Sequence, residues 1–150
     1  MVKVETSIII HRPIEEVFAY VSDFRNSPQW QAGIVEVRQT PESPVGRGTR
    51  VTFLRTFLGR KIEGTSEMVE YEPPTKHTFK STSGPLPITV SRIFEPTVEG
   101  TKVTIVLEMQ PGGVFALAEP LIARSLRRDV EADFGNLKDL LESRVAAATS

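Results

Sequence analysis

The spacing of apolar residues changes along the chain, and the changes separate strand-like from helix-like segments. Val2 to Ile10 is rich in β-branched residues, which is typical of a strand. From Ile14 to Val21 the apolar residues recur at steps of three and four, the spacing of one helical face. Pro13 suits the first helical position because its missing N–H would be unpaired there anyway. A second short helical segment is predicted to end near Trp30.

Residues 34 to 110 carry strand-like stretches interrupted by turn residues. Thr49 to Leu58 alternates between two faces, and Gly59 after it is consistent with a tight hairpin. Further breaks fall at Pro73-Pro74, at Ser83-Gly84-Pro85 and at Glu99-Gly100. Successive strands joined by short links are typical of an antiparallel meander.

A helix is predicted from about Val114 to Arg144, after the break at Pro111-Gly112-Gly113. Gly135 inside it indicates close backbone approach, vacant space or a tolerated surface glycine. Its apolar stripe consists of Ile122, Leu126, Val130, Phe134, Leu137 and Leu141. The charged residues expected to face water are Arg124, Arg127, Arg128, Asp129, Glu131 and Asp133.

These elements predict one α+β domain, an antiparallel sheet packed against a long C-terminal helix. The length of 150 residues fits a single domain. We expect this domain to span residues 1–144, with residues 145–150 as a frayed tail.

Composition narrows the class of protein. The net charge of −1 gives no overall field that would attract nucleic acid or an acidic membrane. The absence of cysteine excludes thiol catalysis, thiolate metal sites and disulfides. The N-terminus has no apolar run typical of a signal peptide, and no segment approaches the roughly 20 apolar residues that span a bilayer. We therefore expect a cytoplasmic protein with no nucleic-acid partner and no integral membrane contact.

Three local features resemble one known family: Pro13 to Phe24 with Trp30 beyond it, Phe94-Glu95-Pro96 through Gly100 to Thr104, and Asn136 to Glu142. Together with the element order they resemble the START-like (SRPBCC) superfamily, the polyketide cyclase/dehydrase and lipid transport group. The resemblance covers nearly the whole chain. It implies a helix-grip fold, in which a seven-stranded antiparallel sheet curls around the long C-terminal helix, with two short helices after the first strand and a cavity between sheet and helix.

Several side chains are candidates for lining such a cavity. Arg55 shares a strand face with Val51 and Phe53, and Arg92 lies between Val90 and Phe94. If these faces are concave, each guanidinium enters the cavity; if they are convex, it reaches water. The candidate ligand-binding residues are Phe24, Trp30, Phe53, Arg55, Phe57, Phe79, Arg92 and Phe115.

The two histidines offer little for catalysis or metal binding. His77 follows Pro74-Thr75-Lys76, which favours a solvent-exposed strand start over a polar contact or general base. His11 ends the first strand and is also expected at the surface. Because the two are far apart and lack metal-ligand spacing, we predict no metal site.

Two functions follow from the predicted cavity. The first is binding of a small hydrophobic molecule, such as a lipid, a polyketide or an aromatic metabolite. The alternative is a cyclase- or dehydratase-like enzyme that uses the same cavity, although no catalytic motif is present. In either case we expect no cofactor, and a monomer or homodimer.

Overall fold

The computed structural model of this chain describes residues 1–40, 45–57, 59–84 and 87–149, without the side chains of residues 57, 113–115 and 144–149. Within these ranges one antiparallel sheet has the order β1-β7-β6-β5-β4-β3-β2. The strands are β1 Val2–Ile10, β2 Ile34–Thr40, β3 Arg50–Phe57, β4 Arg60–Glu72, β5 Lys76–Ser83, β6 Ile88–Pro96 and β7 Thr101–Met109. The helices are α1 Ile14–Ser22, α2 Ser27–Trp30 and α3 Glu119–Thr149. This architecture confirms the predicted helix-grip fold.

The segment between β1 and β2 supplies one end of the core. The apolar face of α1 is buried, and the Phe18 ring packs edge-on against Phe94 at 5.1 Å between centroids. The side chain of Asp23 accepts a hydrogen bond from the Arg25 backbone N–H and so begins a 3₁₀ turn, Phe24–Asn26. This turn places Phe24 in the core, where its side chain is buried.

The long helix α3 packs through the stripe that the sequence predicted. All six stripe residues are buried: Ile122, Leu126, Val130, Phe134, Leu137 and Leu141. Pro120 lies in the first turn, where a missing N–H costs nothing. The helix continues to Thr149, beyond the predicted end at Arg144, because the three alanines at 146–148 are strong helix formers. The domain boundary at residue 144 stays a prediction.

The C-terminal half of α3 is fixed to the end of β1. Lys138 Nζ donates to the Ile9 carbonyl at 2.8 Å, and Glu142 accepts from the His11 backbone N–H at 2.9 Å. Further toward its N-terminus, from Leu126 to Phe134, the helix faces the sheet across an open space. No helix in the described ranges is long and apolar enough to cross a membrane.

Candidate functional site

A cavity of about 380 Å³ lies between the concave face of the sheet, the α2–β2 connection and α3. This volume falls within the roughly 300–1,000 Å³ that is usual for small-molecule sites. A second cavity of about 60 Å³ shares Phe53, Arg55, Ser66 and Ile88 with the first. The two therefore form neighbouring spaces along the sheet.

Three phenylalanine rings form the aromatic wall of the larger cavity. Phe24 lies 5.0 Å from Phe79 and 6.0 Å from Phe53 between ring centroids, and Phe53 lies 6.2 Å from Phe79. Across from the sheet, the Trp30 indole stacks on Phe134 of α3 at 6.5 Å. Most of the surface offered to an occupant is therefore apolar and aromatic.

Arg92 is the most deeply buried charged group of the wall. Val90, Arg92 and Phe94 alternate with less buried residues along β6, and all three point inward. The sequence did not decide whether their face is concave or convex, and the structure shows that it is concave. The Arg92 guanidinium carbon lies 5.3 Å from the centroids of both the Trp30 and Phe79 rings, which is cation–π geometry. Burial lowers the pKa of Arg92 to about 10, so the group stays charged at neutral pH.

The prediction that His77 is solvent-exposed was wrong, because its side chain is 0% exposed. It pairs directly opposite Arg92 in the β5–β6 register and lies behind the cavity wall. The sequence held the signal, because His77 lies two residues before Phe79, and residues two apart on a strand share a face. The proline and lysine before it suggested an exposed strand start and masked that alternation.

His77 links α1 to the cavity wall through two hydrogen bonds. Arg92 Nη1 lies 3.3 Å from His77 Nε2, and His77 Nδ1 lies 2.8 Å from Ser22 Oγ. A guanidinium only donates, so Nε2 accepts and the proton on Nδ1 is donated to Ser22. Burial, reinforced by the Arg92 charge, holds the pKa of His77 well below its usual value, which agrees with this neutral tautomer. His77 therefore positions Arg92.

Arg55 enters the same cavity from β3. Arg55 lies on the same strand face as the buried Val51 and the partly buried Phe53. This face is the concave one, so the guanidinium enters the cavity, as for Arg92. Burial lowers the pKa of Arg55, while Asp133 and Asp129 act in the opposite direction. Among the described residues it forms no hydrogen bond or ion pair.

The expectation that Asp133 faces water was also wrong. Asp133 lines the cavity, and its carboxylate accepts a hydrogen bond from the Ala32 backbone N–H at 3.2 Å. Burial raises the pKa of Asp133 to about 6, although the positive charges of Arg55 and Arg92 oppose the rise. The α2–β2 connection covers this flank of α3, and helix periodicity alone carries no information about such a cover.

Six of the eight predicted ligand-binding residues line the cavity: Phe24, Trp30, Phe53, Arg55, Phe79 and Arg92. The side chains of Phe57 and Phe115 lie outside the described part of the chain. Asp133 is one of several polar wall residues that sequence reasoning missed. The available sequence signal was that Asp133 lies four residues after Asp129, beside the apolar stripe, because residues four apart share one side of a helix. The described residues contain no cluster of acids and histidines suited to a metal ion.

Solved structures share this architecture at low sequence identity. A protein from Thermus thermophilus, TTHA0849, superposes with a TM-score of 0.81 at 22% identity, covering 99% of each chain. A START superfamily protein from Mycobacterium smegmatis gives a TM-score of 0.81 at 13% identity, covering 94% of this chain and 97% of its own. The Zhui aromatase/cyclase from Streptomyces sp. R1128 gives 0.78 at 15% identity, covering 97% and 96%.

The fold and cavity therefore define a helix-grip protein. The sequence model of the family described as polyketide cyclase/dehydrase and lipid transport matches residues 1–142, and the chain belongs to that family. Comparison with curated protein sequences gives no match.

Proposed function

We propose that this protein binds a small, largely apolar molecule in the cavity between the sheet and α3. The observation that carries the proposal is an aromatic-walled space of about 380 Å³ between the sheet and α3. A cavity of this kind is costly to a fold, since the side chains that line it forfeit packing contacts with other protein atoms. A protein with such a cavity recovers the lost packing contacts when a ligand binds in the cavity.

Binding would draw on two kinds of contact. Apolar surface removed from water contributes about 25 cal/mol per Å², and the aromatic wall of Phe24, Phe53 and Phe79 supplies much of it. Polar groups at the Arg55, Arg92 and Asp133 side of the cavity would then fix the orientation of the occupant. The expected cytoplasmic location, the monomer or homodimer and the absence of a nucleic-acid partner stay predictions.

Trp30 provides the test, because it is the only tryptophan of the chain and lines the cavity. We expect N-phenyl-1-naphthylamine, a neutral apolar fluorophore, to bind with a blue-shifted emission and to quench Trp30 by energy transfer. Titration of the purified protein gives the Kd. Ser66→Phe places a ring in the shared floor of both cavities and should weaken binding at least tenfold.

A matched control is Thr52→Phe, which adds the same ring at a residue that lines neither cavity. Thr52→Phe should leave the Kd within twofold of the original protein. No saturable Trp30 quenching, or equal binding by the Ser66→Phe protein, would contradict a ligand-binding cavity. Organic extraction of the freshly purified protein, followed by mass spectrometry, would identify a retained molecule.

A cyclase- or dehydratase-like enzyme is the second candidate, and Asp133 is the observation that favours it. A carboxyl group with a pKa of about 6 exchanges protons readily near neutral pH, as general acid–base catalysis requires. In that reading Asp133 removes a proton from an activated methylene of a polyketone, and Arg55 or Arg92 stabilises the enolate oxygen. The enolate carbon then forms a bond to a second carbonyl of the same chain, whose oxygen takes up a proton, and the resulting hydroxyl leaves as water with a proton returned by Asp133 while a C=C bond forms. Water loss from a linear triketone that stops in Asp133→Asn, with fluorophore binding intact, would identify the enzyme.

A further inference from the structure

Two positively charged side chains reach the cavity without a carboxylate partner. Arg55 comes from β3 and Arg92 from β6, and both line the same space. Among the described residues, neither forms an ion pair, and the hydrogen-bond partner of Arg92 is the neutral His77. The two charges also repel each other across the cavity.

This arrangement costs stability. A buried guanidinium is strongly disfavoured unless a carboxylate or a full set of acceptors surrounds it. Asp133 compensates part of the charge from α3, and Asp129 contributes from its exposed position at the cavity edge. Neither aspartate comes close enough to Arg55 or Arg92 to form an ion pair.

The wall around Arg92 also has more donors than acceptors. The indole N–H of Trp30 and the Nε–H of Arg92 are buried, and neither has a hydrogen-bond partner within the described part of the chain. Both groups only donate. Both are enclosed by protein, so an occupant meets the wall through the guanidinium groups of Arg55 and Arg92, which line the cavity. Acceptor oxygens that carry a negative charge would compensate these two positive charges.

We infer that the occupant is an organic acid in its anionic form, with its acidic oxygens within reach of Arg55 and Arg92 and its apolar body on Phe24, Phe53 and Phe79. The inference deepens the proposed function and rests on it. Arginine suits the role because its planar guanidinium donates two parallel hydrogen bonds to a carboxylate or a similar oxyanion. His77 and Ser22 hold one of the two guanidinium groups in place before the anion arrives.

Two probes with one skeleton test the charge requirement. The anionic probe is 8-anilinonaphthalene-1-sulfonate, and the neutral probe is N-phenyl-1-naphthylamine, which lacks the sulfonate. We expect Arg55→Met to weaken binding of the sulfonate probe at least tenfold more than it weakens binding of the neutral probe. Arg55→Lys keeps the charge and should lose less than Arg55→Met. Both Kd values come from probe emission sensitised by Trp30, and the part of this signal that Ser66→Phe removes is the part that comes from the cavity.

Arg124→Met is the matched control, because it removes one positive charge from an exposed position on α3. It should change neither Kd by more than twofold. If the neutral probe binds and Arg55→Met affects both probes alike, the anion requirement is wrong and the apolar cavity stands. If neither probe binds the original protein, the proposed function fails together with this inference. Arg92→Met is measured in the same way and tests the charge requirement independently, in case Arg55→Met does not fold.

Discussion

Burial shifts the pKa values of Asp133 and His77 in opposite directions, because it disfavours the charged form of each side chain. His77 lies behind Arg92 and is held neutral, so it acts as a fixed hydrogen-bond acceptor. Asp133 lies on the opposite wall, where burial outweighs the attraction of Arg55 and Arg92 and raises its pKa to about 6. Of these two residues, Asp133 is the one whose charge changes near physiological pH.

We expect Asp133→Asn to stabilise the protein at neutral pH. Because the pKa of Asp133 rises from 3.8 to about 6 on folding, the folded protein holds the proton more tightly than the unfolded chain. Ionised Asp133 therefore destabilises the fold progressively as pH rises from about 4 to about 6, and the effect is complete above that range. The gain in unfolding free energy at pH 7 should be roughly 1–2 kcal/mol, allowing for solvent screening of a half-buried carboxylate.

Urea denaturation at pH 4, 5, 6 and 7 measures this difference. The advantage of Asp133→Asn should be near zero at pH 4 and should grow with pH. Asp139→Asn, at an exposed position of the same helix, should follow the pH dependence of the original protein. An Asp133→Asn protein that is less stable at pH 7 than at pH 4, relative to the original, would refute the assigned burial effect.

At the residue scale, the sequence predicted what lies on a strand face better than what covers a helix flank. Phe24, Phe53 and Phe79 were selected as aromatic wall residues, and all three line the cavity. Asp133 was missed because the segment covering it, around Ala32, is far away in the chain. Local periodicity contains no information about such a distant contact.

At the element scale, two glycines differ in how closely other atoms surround them. Gly100, in the β6–β7 turn, has a φ of 152°, and a Cβ atom there would lie 2.2 Å from the Ile10 carbonyl oxygen. Gly135, inside α3, has no described atom within 4 Å of the corresponding position, apart from its chain neighbours and the backbone of its own helix. Of the three explanations that the sequence allowed for Gly135, a tolerated glycine with open space beside it agrees with this geometry.

Alanine substitution should separate the two sites. Gly135→Ala should raise the unfolding free energy by about 0.5–1 kcal/mol, since alanine favours the helix and restricts the unfolded chain. Gly100→Ala should lower it by more than about 2 kcal/mol, because the added methyl meets backbone and the φ value is unfavourable. Urea unfolding followed by Trp30 fluorescence measures both, and a stable Gly100→Ala protein would contradict the tight packing of this turn on β1.

Element positions were largely predictable, and element ends less so. The first strand matches Val2–Ile10. Strand β4, Arg60–Glu72, fills the stretch between the predicted breaks at Gly59 and Pro73, because turn residues mark its two ends clearly. The end of α3 at Thr149 was missed, since an alanine run gives no stop signal.

At the scale of the whole molecule, the cavity exists because the sheet curls. Strands β3 and β6 are separated by β4 and β5 in the sheet order, yet Arg55 and Arg92 face one space. The alternation within each strand identified the two candidate faces. It did not show which was concave, because curvature depends on twist and bulges distributed over several strands, such as the irregularities in the β4–β5 pairing.

Residues along β6 alternate between the inner and the outer face of the sheet, and this affects how the sequences of related proteins diverge. Val90 and Arg92 point inward, whereas Thr89 and Ser91 belong to the outer face of the sheet. Inherited changes at the inner positions therefore alter what the interior accepts and leave the exterior as it was. Under the proposed function, related chains can differ in the molecule they bind while their exteriors stay alike, so the inner positions are the better guide to shared specificity.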